Sequence, residues 1–146
     1  MAHRHTNWLK RPIIYHSLAN ARLALKISKS LNIPIVLRTA HGALSYAGAS
    51  YLKKIYDIAK DECATAPAIA MLDCGNDAAA AVNAIRDGWP GILFTGQPKA
   101  CQRVRSVAKR HRITYTEKRT DALDLGACGE MDSACRSWLL TGLKAL

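Results

Sequence analysis

The apolar run Ala68-Ile69-Ala70-Met71-Leu72 ends abruptly in Asp73-Cys74-Gly75-Asn76. An aspartate that closes a buried strand stands at the mouth of a sheet, where its carboxylate can act as a general base, bind a hydroxyl or hold a cation. The same carboxylate can equally cap the helix that follows. Cys74 is a thiolate nucleophile or soft metal ligand if a cation lowers its pKa, and otherwise a small buried hydrophobe. A second run, Ile35-Val36-Leu37, ends in Arg38-Thr39-Ala40-His41. An arginine in a buried strand needs an anion, which is either Asp73 or a carboxylate or phosphate on a ligand. His16-Ser17 after a first strand, Thr95 and Gln97 after a fourth and Glu117 after a fifth complete the polar set. The candidates are therefore Asp73 and Cys74 for catalysis, and His16, Arg38, Thr39, His41, Thr95 and Gln97 for ligand binding. His16, His41 and Cys74 also offer imidazole and thiolate donors to zinc, at a spacing that matches no local metal motif. No cofactor is expected from these residues, with zinc the alternative. The turns His41-Gly42 and Gly75-Asn76 present backbone N–H groups that suit an oxyanion, but neither is a glycine-rich phosphate motif.

These residues need elements to position them. Short β-branched runs at 12–16, 34–39, 67–73, 91–95 and 113–117 alternate with helical patterns, the signal for βα units and a parallel sheet. The runs are almost continuously apolar, as expected of strands covered by helices on both faces. The helical stripes are Leu52, Ile55, Tyr56 and Ala59, then Ala78, Ala81, Val82 and Ile85, then Ala100, Val104, Val107 and Ala108. The last of these leaves Lys99, Arg103, Lys109 and Arg110 facing water. Ser17 is the expected cap of the first helix, and Asn76 or Asp77 of the third. Residues 118–130 read as irregular, and 131–146 as a closing amphipathic helix with Cys135, Trp138, Leu139, Leu143 and Leu146 on one stripe. That helix covers the sheet or pairs with a second subunit. The organisation read here is a tail at 1–10 and one α/β domain over 11–146. In such sheets ligands bind where strands end and helices begin.

The chain has 146 residues, enough for one domain with a core of its own. At 49% hydrophobic and 22% charged residues it falls in the globular range and outside the disordered one. No apolar run suits a membrane span or a secretory leader, and the five cysteines form no CxxC pair, so a soluble cytoplasmic protein with free thiols is expected. The net charge of +10 is concentrated: residues 99–119 hold eight basic side chains against Glu117 alone. Lys99, Arg103, Arg105, Lys109, Arg110 and Arg112 could dock nucleic acid or an acidic protein, or form a plain solvated helix face. Aromatic interleaving is absent from that helix. His3, His5 and His111 read as surface residues.

The segment PIVLRTAHGALSYAGASYLKKIYDIAK, followed by APAIAMLDCGNDAAAAVNAIRDGWPGILFTG and then QRVRSVAKRHRITYTE, resembles the first half of the class II, metal-dependent fructose-bisphosphate and tagatose-bisphosphate aldolases over residues 11–117. The shared pattern is a strand, a small-x-Gly turn, a Tyr-Ala pair, a strand ending in His-x-Asp-His-Gly, and an Asn- or Asp-led helix ending in Gly. Those enzymes are TIM barrels that stabilise an enediolate with zinc. The resemblance implies that Asp73 matches their proton-transferring aspartate. Cys74 and Met71 fall on the two histidines of the motif, and Ala40 replaces a serine that contacts the substrate intermediate. No counterpart of the late barrel strands, with their metal ligands and phosphate-binding loops, is read after 117.

Five βα units cannot close a barrel, which takes about eight, so two architectures are open. A flavodoxin-like open sheet, order 2-1-3-4-5 with helices on both faces, is favoured over a partial TIM barrel completed by dimerisation. The expected function is binding of a small phosphate- or carboxylate-bearing metabolite at the strand C-termini, without aldolase activity. The alternatives are a metal- or thiol-dependent lyase acting on a carbonyl compound, and a basic-surface interaction protein.

Overall fold

The computed structural model describes residues 11–144, with side chains as far as residue 141. The tail with His3 and His5 and Leu146 of the closing stripe lie outside that description, as does the side chain of Leu143. In chain order the elements are β1 (Ile13–Ile14), α1 (Leu18–Leu31), β2 (Ile35–Arg38), a 3-10 turn (Ala43–Ser45), α2 (Ala49–Glu62), β3 (Ala68–Asp73), α3 (Ala78–Arg86), β4 (Gly91–Leu93), α4 (Pro98–Arg110), β5 (Thr114–Thr116), β6 (Leu123–Asp124) and α5 (Met131–Lys144).

Local chemistry sets the boundaries. Ser17 caps α1 by accepting from the Asn20 N–H, and Asn32 ends the helix in the left-handed region at φ 53°. Asp77 caps α3 by accepting from the Ala80 N–H at 3.0 Å. That choice matters for the site: with Asp77 as the cap, the Asp73 carboxylate is not used to start the helix. Proline opens α4, where its missing N–H costs nothing. Arg11 lies over the Trp138 ring at 3.7 Å and its carbonyl accepts from the indole N–H, which ties the start of the described chain to α5.

All strands are parallel, in the order β5-β4-β3-β2-β1-β6. The open parallel α/β sheet expected from the sequence is present, with three corrections in its detail. It has six strands and not five, because the stretch read as irregular contributes β6, two residues too short to show a pattern. The strands run consecutively from β1 to β5 and not as 2-1-3-4-5. And the helices form one layer. Right-handed crossovers between successive neighbours, all stepping the same way, place α1 to α4 on one face. The core agrees: Ile13, Ile35, Leu37, Ala70, Leu72, Ile92 and Phe94 pack with helix residues such as Leu25, Leu52, Ile85 and Val104. The alternate strand residues Val36, Met71 and Leu93, with Ile69, form a separate cluster that contains no helix residue. α5 joins the same layer beside α1 and β6.

The second face is crossed by a strap. The chain leaves β5 at one edge and enters β6 at the other through residues 117–122. Five strand spacings amount to about 24 Å on a flat sheet, and seven extended residue steps reach only about 23–25 Å. The chain bends at Glu117, so the strap has little slack on its way across. The strap touches the sheet on its way: Arg119 meets Asp73 at the end of β3, and the Thr120 carbonyl meets Arg38 at the end of β2.

Candidate functional site at the strand mouth

Asp73 and Arg38 reach the same face because strand side chains alternate, and they lie two residues beyond Met71 and Val36, which share one cluster. Asp73 is buried, with no side-chain exposure, and is held in a fork by Arg119: Nε donates to Oδ2 at 2.7 Å and Nη2 to Oδ1 at 2.8 Å. The Gly75 N–H donates to Oδ1 at 3.0 Å, and His41 Nδ1 stands 3.8 Å from Oδ2. Burial alone would raise the Asp73 pKa. The Arg119 hydrogen bonds, the Gly75 N–H and the charges of Arg119 and His41 outweigh it and hold the carboxyl below the usual carboxylate range. Thr39 is buried beside it and accepts the Asp73 backbone N–H at 2.9 Å, fixing where β3 ends.

Arg38 is 5% exposed. Its Nη1 donates to the Thr120 carbonyl at 3.1 Å, and its buried Nε has no hydrogen-bond partner. Burial disfavours its cation, Asp73 favours it through space, and Arg119 disfavours it again. The mouth therefore carries two guanidinium groups against one carboxylate, and that carboxylate is bonded to the other arginine.

His16 occupies the β1 side of the rim. Its Nε2 lies 2.6 Å from Asp124 Oδ1, which also accepts the Gly126 N–H at 2.9 Å. Gly126 makes this possible, since a Cβ there would stand 2.6 Å from the His16 ring. The same imidazole is thus bound to Asp124 while His41 faces Asp73, and the two are not joined around one point.

Cys74 goes the other way. Its side chain belongs to the helix-side core, and its thiol contacts the Leu72 carbonyl at 3.7 Å. Burial, with Asp73 and Asp77 nearby, pushes the thiol up to about 12, so it is no nucleophile at neutral pH. Met71 and Cys74, the positions resembling the two histidines of the aldolase motif, lie in different clusters on opposite faces of the sheet. They cannot ligate one ion. Among the described residues no three His, Cys, Asp or Glu side chains converge as a metal site, so this donor set does not fit zinc. Thr95 is half-buried, its N–H bonded to the Gly75 carbonyl at 2.7 Å. Gln97 is exposed and precedes α4 without a side-chain cap bond.

Three residues of this site were missed in the sequence: Arg119, Thr120 and Asp124. Arg119 is submerged in a basic run, and all three lie in a segment without periodicity. A cue was available, since a buried Asp73 requires a cation and Arg38 alone could not serve both roles.

The fold is an open parallel α/β sheet, with Asp73, Arg38 and Arg119 gathered at the ends of its strands. No family model matches the chain. It is 28% identical over 109 residues to the fructose-bisphosphate aldolase class 2 of Synechocystis sp., a stretch that covers 75% of this chain and 30% of that protein. The likeness is partial and distant.

Proposed function

We infer that the strand mouth binds a small anionic ligand bearing a phosphate or carboxylate, and that the protein does so without aldolase activity. The observation that carries the reading is Arg38: a guanidinium at 5% exposure with an unpartnered Nε, beside a carboxylate already forked by Arg119. A buried arginine without a bonded anion is costly, and a ligand oxyanion relieves that cost. His41, which is exposed, stands 3.8 Å from Asp73. The absence of aldolase activity is argued from occupancy of the chemical groups. A proton-transfer aspartate must be free to exchange protons, and Asp73 is tied in two bonds to Arg119, while Met71 and Cys74 do not provide the motif's imidazoles.

The test is thermal stabilisation by inorganic phosphate, sugar phosphates and small dicarboxylates. A rise in Tm with at least one of them, lost in Arg38→Leu and retained in Gln97→Ala, is the expected outcome. No rise for the wild type, or a rise that Arg38→Leu leaves unchanged, overturns the reading.

A further inference from the structure

We propose that the exposed face of α4 docks on the phosphate backbone of duplex nucleic acid without reading its sequence. Helix geometry comes first. With Cys101, Val104 and Ala108 buried, the residues on the opposite side are Lys99, Arg103, Ser106 and Arg110, separated by four, three and four positions. At 1.5 Å per residue this row spans about 16 Å, with Lys109 beside it, and all five are exposed.

What sets this face apart is the lack of compensation. The other helices leave at most two exposed bases without an ion pair, Lys26 and Lys29 on α1, Lys54 on α2 and Arg86 on α3, and pair the rest that the described residues show: Lys53 with Asp57 on α2, Arg136 with Asp132 on α5, and Arg22 on α1 across to Glu62. On α4 only Arg105 is paired, to Glu117 at the start of the strap. Among the described residues no carboxylate lies within ion-pair distance of Lys99, Arg103, Lys109 or Arg110. A solvated helix face interleaves signs, whereas a row of one sign repels itself and is relieved by a polyanion. A backbone strand places one phosphate per about 3.4 Å of duplex axis, so about 16 Å of helix faces about five phosphates. The choice of duplex over single strand follows from the row's composition. It holds no aromatic ring on which an unstacked base could lie, and Tyr115 is half-buried with Arg105 over its ring at 5.9 Å.

The test is fluorescence anisotropy of a labelled 20-base-pair duplex of random sequence, titrated with the full-length protein between 50 and 200 mM KCl. Four phosphate contacts predict a slope of log K against log salt of about −3 to −4. The variant Lys99→Gln/Arg103→Gln/Arg110→Gln is expected to flatten it to about −1 and to weaken binding at 50 mM more than about tenfold. Arg103→Gln alone should remove about one unit of slope. A control of equal charge change on exposed sites elsewhere, Lys26→Gln/Lys29→Gln/Lys54→Gln, is expected to stay within about twofold of wild type. Equal losses in the two triple variants mean generic attraction and overturn the proposal. So does tighter binding to the unpaired strand, or displacement by polyglutamate at matched charge, which would make the partner an acidic protein.

Discussion

Replacing Arg119 by methionine keeps the stem's length and removes the fork on Asp73. The carboxylate then stays buried with the Gly75 N–H as its one remaining hydrogen bond and His41 at 3.8 Å. Breaking a buried pair by deleting one partner costs about 3–5 kcal/mol. Arg119 is 29% exposed, so part of its interaction is already screened, and a loss of about 2–3 kcal/mol at pH 7 is the better figure. For a chain of this size that is a fall of roughly 6–12 °C in Tm. The pH dependence separates this cause from simple loss of packing. In the wild type the Asp73 pKa is lowered in the folded state. Its contribution is therefore present above the ordinary carboxylate pKa and is lost as pH falls through the lower, folded value. In Arg119→Met the two strongest bonds opposing burial are gone, leaving the Gly75 N–H and the charges of Arg38 and His41, so the folded pKa moves up and mild acid protonates the group in the native state. The gap between variant and wild type should then narrow from pH 7 to pH 5. Asp73→Asn should cost less than Arg119→Met, because the freed guanidinium can turn to water. Urea unfolding of the three proteins at both pH values is the assay. An Arg119→Met variant within about 0.5 kcal/mol of wild type at pH 7, or a gap that widens in acid, refutes the reasoning.

Three further outcomes are expected. Gly126→Ala drives a methyl group into the His16 ring and should cost about 1–3 kcal/mol, most of which His16→Ala in the same chain recovers; thermal melts of the single and double variants decide it. Asp77→Ala removes the α3 cap bond and should cost about 1 kcal/mol, read by chemical unfolding, while Asn76→Ala should be close to neutral. The thiols of Cys74 and Cys135 are both pushed up to about 12 by burial, so iodoacetamide at pH 8 should label the half-buried Cys63 and Cys128 first; peptide mass spectrometry showing Cys74 labelled as fast as Cys63 would contradict the placement of its side chain.

The parts of the fold written in local chemistry were legible. The strand cores Ile35–Leu37 and Ala68–Leu72, the Ser17 cap and the α4 stripe follow from apolar spacing and cap residues, each confined to a few neighbouring positions. Strand order was not legible, because the pattern of an apolar run is the same whichever strand lies beside it. Continuous burial suggested helices on both faces; among the described residues Val36, Met71 and Leu93 are instead buried on a face against which no helix packs. At the site, Asp73 and Arg38 were recognised from charge at the end of an apolar run. Their partners were not, since Arg119 and Thr120 come from a strap whose course depends on the whole sheet. Cys74 shows the limit of adjacency: next to Asp73 in the chain, it is on the other side of the sheet.

The pairing of β1 with β6 joins Ile13 to Leu123 and Ile14 to Asp124, positions about 110 residues apart. During synthesis the first strand therefore waits, open along one side, until nearly the whole domain has emerged. Its shortness, two residues preceded by Pro12, limits how readily another chain can add to that side in the interval. Chains truncated before Leu123 should keep the helical layer yet expose this seam, and self-association on truncation would be its signature.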